Sequence, residues 1–490
     1  MDKKTTSGLL EKRIAMMTLF VASSFVFLLF VSWSTSIFYK YIGFDSSIFK
    51  AMGVFMDKGL TPYKDFFEHK GPIVVFLEYI GYGISRNDYN LLFLQSVFLG
   101  ASISGVYKIS MLHLSMDKSI AIALGSLPIC SIFMSGQGGN TVEEWILPFL
   151  VWSTYCAVAF FKNSENEKKY KYSIVYGLTF AVAAFSRLTS AMPVVIIVIV
   201  IFIYLVKKKQ WKTIWKNALY FVIGVLIITI PIFIWFMING AFSEMMYDTF
   251  IFNLKYMAHK SFSYGWYKIL KHAARYLLPM AFAAAIQIVF IVKKKDVWLS
   301  IILLTQCVVS VVMQLTGALY AHYLLVWMPT LATTLILIIR ESESMKYLAK
   351  GFVTLLVIVC VGTNIIAFNK YFTVQREESK IVENRADDFT DIINKKVKDV
   401  VAINTHPYIY LYLDIVPCYK YFHSQDRHSS YDSKVYKEWW KEVESGKADY
   451  LVFDAINEYP KNKSVDENYR VRFLNDRFLI LETERYANKY

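Results

Sequence analysis

Charge is scarce in this sequence: Asp, Glu, Lys and Arg make up 19% of its 490 residues, against about 25% in ordinary globular proteins. Acids are scarcest in the first three quarters. Residues 374–490 hold 21 of the 39 Asp and Glu but only 19 of the 53 Lys and Arg, so the whole formal surplus of +14 arises before residue 374. Cysteine is nearly as sparse. Four of the five (Cys130, Cys156, Cys307, Cys360) sit in apolar runs and Cys418 stands alone in the polar tail. That excludes a disulfide framework on the tail, and no Cys-x-x-Cys metal cluster exists. Low-complexity segments and internal repeats are lacking too. What is abundant is apolar surface, at 56% of residues. Long uncharged runs separated by Lys clusters exclude a soluble enzyme, a nucleic-acid-binding domain and a disordered chain as descriptions of residues 1–373. The basic balance reads as membrane topology, with a lipid bilayer and no nucleic acid as partner.

A helix needs about 20 apolar residues to cross the hydrocarbon core. Eleven crossings satisfy both that length and the loop charges: near 14–39, 90–112, 118–136, 145–161, 172–187, 188–206, 217–238, 274–292, 297–316, 322–340 and 351–370. The first follows Lys3, Lys4, Glu11, Lys12 and Arg13, and is too long for a signal-peptide core, so it reads as a retained membrane helix. Lys clusters at 168–171, 207–209 and 293–295, then Arg340, Lys346 and Lys350, fall on one side. The positive-inside rule places the N-terminus in the cytoplasm and the tail outside. Two crossings share a tight turn at Arg187.

On the outer side, a loop over 40–89 contains an amphipathic stretch from Ser46 to Lys58, closed by Gly59, and a second from Pro72 to Ser85 that is too short to span. Both read as juxtamembrane helices. A second loop, 239–272, is rich in aromatics. The reading is thus a membrane domain over 1–373 followed by an extracytoplasmic α/β domain over 374–490. In the latter, 377–398 and 433–444 read as helices, 400–404 and 450–453 as strands, and 471–473 with 478–481 as a hairpin.

An ionisable residue beside a membrane helix is costly, so its position carries information. None falls at the middle of a proposed crossing. Instead Asp45, Asp65, Lys70, Glu143, Glu144, Arg187, His259 and His322 all fall at outer helix ends or in outer loops. Mid-depth charges would mark an ion or proton path; these mark a site at the outer surface. Singly, each has a structural reading. Asp45 suits an N-cap, Lys70 a snorkelling cation, Glu143 and Glu144 a helix N-terminus, Arg187 an interfacial anchor and His322 a polar helix start. Their convergence on one side, acids with bases, is what points to chemistry.

The segments carrying these residues resemble a known superfamily. Gly43-Phe44-Asp45-Ser46-Ser47, then Pro62-Tyr63-Lys64-Asp65 and Glu68-His69-Lys70-Gly71-Pro72, are similar to the first outer loop of the GT-C glycosyltransferases. The nearest match is the bacterial protein O-mannosyltransferase and aminoarabinose transferase-like group. Gly139-Asn140-Thr141-Val142-Glu143-Glu144 and Tyr320-Ala321-His322-Tyr323 fit as well. The resemblance implies a multi-pass enzyme of the bacterial cell membrane with the GT-C fold. It would move a sugar, with inversion, from a polyprenyl-phosphate carrier to a cell-envelope glycan, teichoic acid, lipid or protein on the outer face. An acid of the first outer loop activates the acceptor in such enzymes, and Asp45 matches it. Many members carry a second acid directly after it, where this chain has Ser46, so Glu143, Glu144 or Asp65 is left to supply the second carboxylate. Lys70 falls at the position of the carrier-phosphate lysine, with Gly71 inserted before the proline.

The chemistry holds without the family. A hydroxyl attacking a sugar carbon loses its proton to a carboxylate within hydrogen-bond reach. The departing phosphate needs fixed cations, which Lys70 and Arg187 supply as a point charge and a bidentate fork. His69, His259, Lys260, Tyr320 and His322 are secondary candidates for phosphate or acceptor contacts. Single acids without a paired Asp-x-Asp require no metal, although Asp45 with Glu143 or Glu144 leaves room for a divalent ion. Two other readings compete. A lipid-linked oligosaccharide flippase or transporter needs a polar path through the bundle. An outer-face glycan polymerase or ligase would use Lys255, Lys260, Lys268, Lys271 and Arg275. The tail reads as a cap on the membrane domain, or as a surface whose Tyr408, Tyr410, Tyr412, Trp439 and Trp440 stack on acceptor sugars.

Overall fold

The computed structural model describes residues 3–135, 138–162, 169–259, 264–392, 399–454, 463–474 and 478–483. Among them, ten helices are long and apolar enough to cross a membrane: Glu11–Val31, Asp88–Met111, Met116–Met134, Val142–Lys162, Lys169–Lys207, Trp211–Ile238, Trp266–Val292, Val297–Thr316, Ala321–Arg340 and Lys346–Asp387. Eleven were expected, and the difference lies at Lys169–Lys207. Its 39 residues would make about 58 Å of helix, nearly twice the hydrocarbon thickness. The backbone breaks once, at Arg187 (φ −159°, ψ 107°), and a 3₁₀ turn over Leu188–Ala191 leads straight into Met192–Lys207. Both expected helices exist at 16 residues each. Joined by only that short turn, they form one mostly apolar stretch, interrupted by one extended residue and the 3₁₀ turn that follows it.

The chain forms two compact units. The first comprises Met1–Tyr39, Leu92–Ile232 and Phe262–Phe372; the second comprises Lys40–Leu91, Phe233–Ser261 and Thr373–Tyr490. In the first, the helix Val142–Lys162 is enclosed on nearly every side, from Val142 to Phe160. Glycine sets how close its neighbours come. A Cβ on Gly177 would lie 1.9 Å from the Phe221 carbonyl oxygen, and one on Gly224 would lie 2.1 Å from that of Ile174. Helices Tyr172–Arg187 and Trp211–Ile238 therefore touch backbone to backbone, as small residues allow where apolar lipid offers no hydrophobic drive. Glu11–Val31 and Trp211–Ile238 bury only 22% and 17% of their most apolar windows. Such faces are stable only against lipid.

In the second unit, the helix Phe44–Asp57 is capped by Gly43 and ends before Gly59 (φ 89°). All of its residues from Ser46 to Phe55 are buried, so protein covers more than the single stripe that amphipathicity predicts. It crosses the helical segment Pro72–Gly83 glycine on glycine: a Cβ on Gly83 would lie 2.3 Å from the Gly53 carbonyl oxygen. Four strands follow the order β1-β2-β4-β3, with β1 (Val400–Ile403) parallel to β2 (Tyr450–Asp454). β3 (Tyr469–Leu474) and β4 (Phe478–Thr483) form an antiparallel hairpin. The expected helix over 433–444 is present, capped by Asp432, whose carboxylate accepts from Lys434 N–H, and stopped by Gly446 (φ 64°). Its Trp439 and Val443 pack with Val401, Ile403, Leu451 and Leu481, and the same core takes in Phe67 and Phe252 from the two long loops. Without those two rings the tail's core is incomplete, which is why loops and tail are one unit.

Candidate functional site

The motif Glu68-His69-Lys70-Gly71-Pro72 forms a tight turn before the helix that Pro72 opens. Glu68 is fully buried, and its two carboxylate oxygens have different surroundings. Oε1 accepts the backbone N–H groups of His69 (2.9 Å) and Lys70 (3.1 Å). It also lies 2.9 Å from His69 Nδ1 and 3.2 Å from Lys70 Nζ. Oε2 faces His423 Nε2, from the tail, at 3.2 Å. Burial alone would raise the Glu68 carboxyl, but Lys70, then His69, hold it well below the usual carboxylate range. Lys70 is therefore aimed by a fixed anion, with its ammonium 5.5 Å from the centre of the Phe49 ring.

Aromatic rings enclose this turn. His428 lies 5.0 Å from Phe67 and from His423, and 5.8 Å from His69. Burial drives the imidazole of His69 down to about 4, that of His406 to about 4, and that of His428 well below its ordinary 6.5. A base depressed in this way binds its proton in the unfolded chain first. Its contribution to stability is fully present above pH 6.5 and drains away as the pH falls towards the folded value. Asp248 and Glu442, raised to about 7 by burial, pull the opposite way over the same window. The test is therefore differential. A His428→Phe variant should lose less melting temperature than the parent when the pH is lowered from about 8 to about 5; equal losses would remove His428 from the balance.

Asp45 occupies the first turn of Phe44–Asp57, but Gly43, not Asp45, is the N-cap. Its side chain is exposed and makes no hydrogen bond among the described residues. Asp45 and Phe49 are four residues apart on one helix, hence on one face, and Lys70 sits over Phe49. Phe44, beside Asp45, meets the rings of His406 (5.2 Å) and His423 (6.5 Å). Asp65 acts on its own turn, where its carboxylate accepts Thr61 N–H at 2.7 Å just before Phe66. Lys260 lies outside the described residues, as does the side chain of His259.

Four other candidates meet in the first unit. Arg187 Nη1 donates to Glu143 Oε1 at 2.5 Å, and Glu143 is 1% exposed. The extended backbone at Arg187 turns its guanidinium onto the Tyr323 ring, with Cζ 3.3 Å from the centroid. His322 is edge-on to Tyr323 at 4.5 Å, and Tyr320 stacks on His322 at 5.6 Å. Glu144 instead completes a helix cap. It accepts both the N–H (3.0 Å) and the hydroxyl (3.1 Å) of Thr141, and Gln95 Nε2 at 2.9 Å. Among the described residues no three His, Cys, Asp or Glu side chains gather as metal ligands.

Sequence reasoning passed over Glu68, His423, His428 and Tyr323. Glu68 and Tyr323 lie inside the motifs quoted and could have been weighed as partners of Lys70 and Arg187. The two histidines reach the turn from more than 350 residues away, and no local spacing announces that.

The family model described as "Putative competence-induced protein Ccs4 N-terminal domain" matches residues 12–347. No curated protein sequence matches the chain. Solved structures similar in fold include ArnT from Cupriavidus metallidurans in the apo state, with a TM-score of 0.53 and 12% identity over 96% of this chain and 98% of that one. The same protein bound to undecaprenyl phosphate gives 0.50 and 13% over 95% and 97%. The Archaeoglobus fulgidus oligosaccharyltransferase tethered to an acceptor peptide gives 0.51 and 12% over 90% and 69%. These likenesses establish the GT-C fold.

Proposed function

We propose that this chain, which belongs to the family of the competence-induced protein Ccs4 N-terminal domain and has the GT-C fold, is an inverting glycosyltransferase acting on a polyprenyl-phosphate sugar. The observation that carries the reading is the end-to-end match to ArnT, which covers 96% of this chain and 98% of that one. The bound state of that protein, with undecaprenyl phosphate, supports a lipid-phosphate donor here.

In this reading Asp45 is the base. The acceptor hydroxyl oxygen attacks the anomeric carbon from the face opposite the phosphate, its proton passes to the Asp45 carboxylate, and the carbon–oxygen bond to phosphate breaks. The bonding pair leaves with the phosphate, whose charge a fixed cation, Lys70 or Arg187, receives. Each cation is aimed by a buried acid, Glu68 and Glu143 respectively. The aim is thereby set before the donor arrives, so little is lost in ordering the side chains. Exposure and the absence of a hydrogen-bond partner among the described residues leave Asp45 open to an acceptor. Lys clusters on the opposite side of the helices support action at the outer face, with the N-terminus inside and the tail outside. A carrier held in the bilayer brings its phosphate to headgroup level, and the acceptor would be a glycan, teichoic acid, lipid or protein of the cell envelope.

The test is donor cleavage. Purified protein is incubated with a panel of undecaprenyl-phosphate-linked hexoses and pentoses, with and without chelator, and the released undecaprenyl phosphate is measured. Release from at least one donor is expected; silence across the panel with every acceptor class supplied would overturn the reading.

A further inference from the structure

We infer that His423, in the tail, is a positioning residue for Lys70, acting through Glu68, so that the C-terminal segment is part of the donor-phosphate half of the site. The inference rests on the assignment of Lys70 to the donor phosphate.

The asymmetry of the Glu68 carboxylate carries it. Everything that meets Oε1 comes from the turn itself: two backbone N–H groups, His69 Nδ1 and Lys70 Nζ. Oε2 meets His423 Nε2, 3.2 Å away and contributed by the tail. A carboxylate held at one oxygen still rotates about its last bond, and rotation carries Oε1 out of line with the ammonium it aims. The His423 ring packed against Oε2, with Nε2 at ion-pair distance, limits that rotation. His423 is itself held: it is 2% exposed, with Phe422 at 4.5 Å and His428 at 5.0 Å.

The tail is built to reach this point. Phe67 N–H donates to the Lys420 carbonyl at 2.7 Å, three residues before His423. Lys420 Nζ lies 3.0 Å from Asp248 of the second loop, and Asn253 of that loop donates to the His69 carbonyl at 2.6 Å. Three separate segments thus converge on one turn. A tail that merely covered the membrane domain would have no reason to place a polar, buried side chain on the acid that aims the lysine. Loss of His423 takes from the buried Oε2 the ring nitrogen that faces it, which a buried charge tolerates poorly. The carboxylate then turns towards Lys70 and draws the ammonium back from the phosphate.

The experiment measures binding of undecaprenyl phosphate, with neutral undecaprenol as control, to the full-length protein in detergent. His423→Phe keeps a ring among Phe44, Phe422 and His428 but removes Nε2. It should weaken phosphate binding about tenfold, with undecaprenol binding unmoved. His423→Gln places an amide nitrogen near the position of Nε2 and should restore affinity to within about twofold. In turnover the loss should appear in the donor KM more than in kcat. If His423→Phe does not accumulate folded, His423→Asn replaces it, since its amide falls short of Glu68. Wild-type affinity in a folded His423→Phe or His423→Asn, beside lost affinity in Lys70→Met, would overturn the inference and leave the donor reading standing. Equal binding of phosphate and undecaprenol by the parent protein would instead remove the assignment of Lys70, and the inference with it.

Discussion

An Asp45→Asn variant is expected to fold and insert normally while losing sugar transfer by about 100- to 10,000-fold, the contribution typical of a positioned general base. Both halves follow from where the residue stands. The carboxylate is exposed, makes no hydrogen bond among the described residues, and is not the cap of its helix, which is Gly43. Ten buried residues from Ser46 to Phe55 hold that helix in place. Asn keeps the shape and removes the charge, so the stability cost is limited to the favourable interaction of an acid with a helix N-terminus, about 0.3–1 kcal/mol. Melting temperature in detergent and single-turnover transfer from the donor that the panel identifies separate the two effects. Because Asn cannot take up the acceptor proton, the loss should fall on kcat, with the donor KM little changed. Normal turnover in a folded Asp45→Asn protein would remove Asp45 as the base and return the choice to Glu143 or another acid.

The elements that the sequence revealed are those whose evidence is local. Apolar run length located the membrane helices, and Gly59 and Gly446 marked helix ends that the structure places at φ 89° and 64°. The short strands at 400–403 and 450–454 showed in their β-branched and aromatic content. Even the break in Lys169–Lys207 was visible as a charge inside apolar sequence, since Arg187 is the residue that leaves the helix. The interactions within each motif were harder to see. Asp65 stood among the candidate acids because of its position, yet its carboxylate closes a turn on Thr61; a side chain four residues from its partner leaves the same composition whether it serves structure or chemistry. Glu144 likewise caps its helix on Thr141, whereas its neighbour Glu143 turns to Arg187. Adjacent helical positions point about 100° apart, so one acid of the pair was bound to differ from the other. Long-range placement was illegible altogether. Tyr410 reads as a candidate sugar platform, but it is buried, donates its hydroxyl to the Phe422 carbonyl and accepts Ala402 N–H. Nothing in the spacing of Tyr408, Tyr410 and Tyr412 separates the buried ring from its exposed neighbour.

Removing Arg187 is expected to cost both stability and donor binding, and the two losses can be told apart. In Arg187→Ala the Glu143 carboxylate, 1% exposed and 2.5 Å from the missing guanidinium, is left buried without its partner. Breaking such a pair from one side costs about 3–5 kcal/mol, and the cation–π contact with Tyr323 adds up to about 2 kcal/mol where the pair is desolvated. A severe drop in melting temperature alone would therefore say nothing about the phosphate. The double variant Glu143→Gln with Arg187→Met settles the matter. It removes both charges together and fills the space with a flexible apolar chain, so most of the lost stability should return, as it does when buried ion pairs are replaced as a unit. Binding of undecaprenyl phosphate should not return. A charge-assisted hydrogen bond to a phosphate oxygen is worth about 1.5–3 kcal/mol, so the double variant should bind about ten- to a hundredfold more weakly than the parent at equal stability. Arg187→Lys gives the complementary result: the charge remains and Glu143 keeps a partner, but the planar fork and its stacking on Tyr323 are gone. It should stay folded with an intermediate affinity. Parent-like phosphate binding in the restabilised double variant would make Arg187 an internal anchor for Glu143 and leave Lys70 as the cation on which donor binding depends.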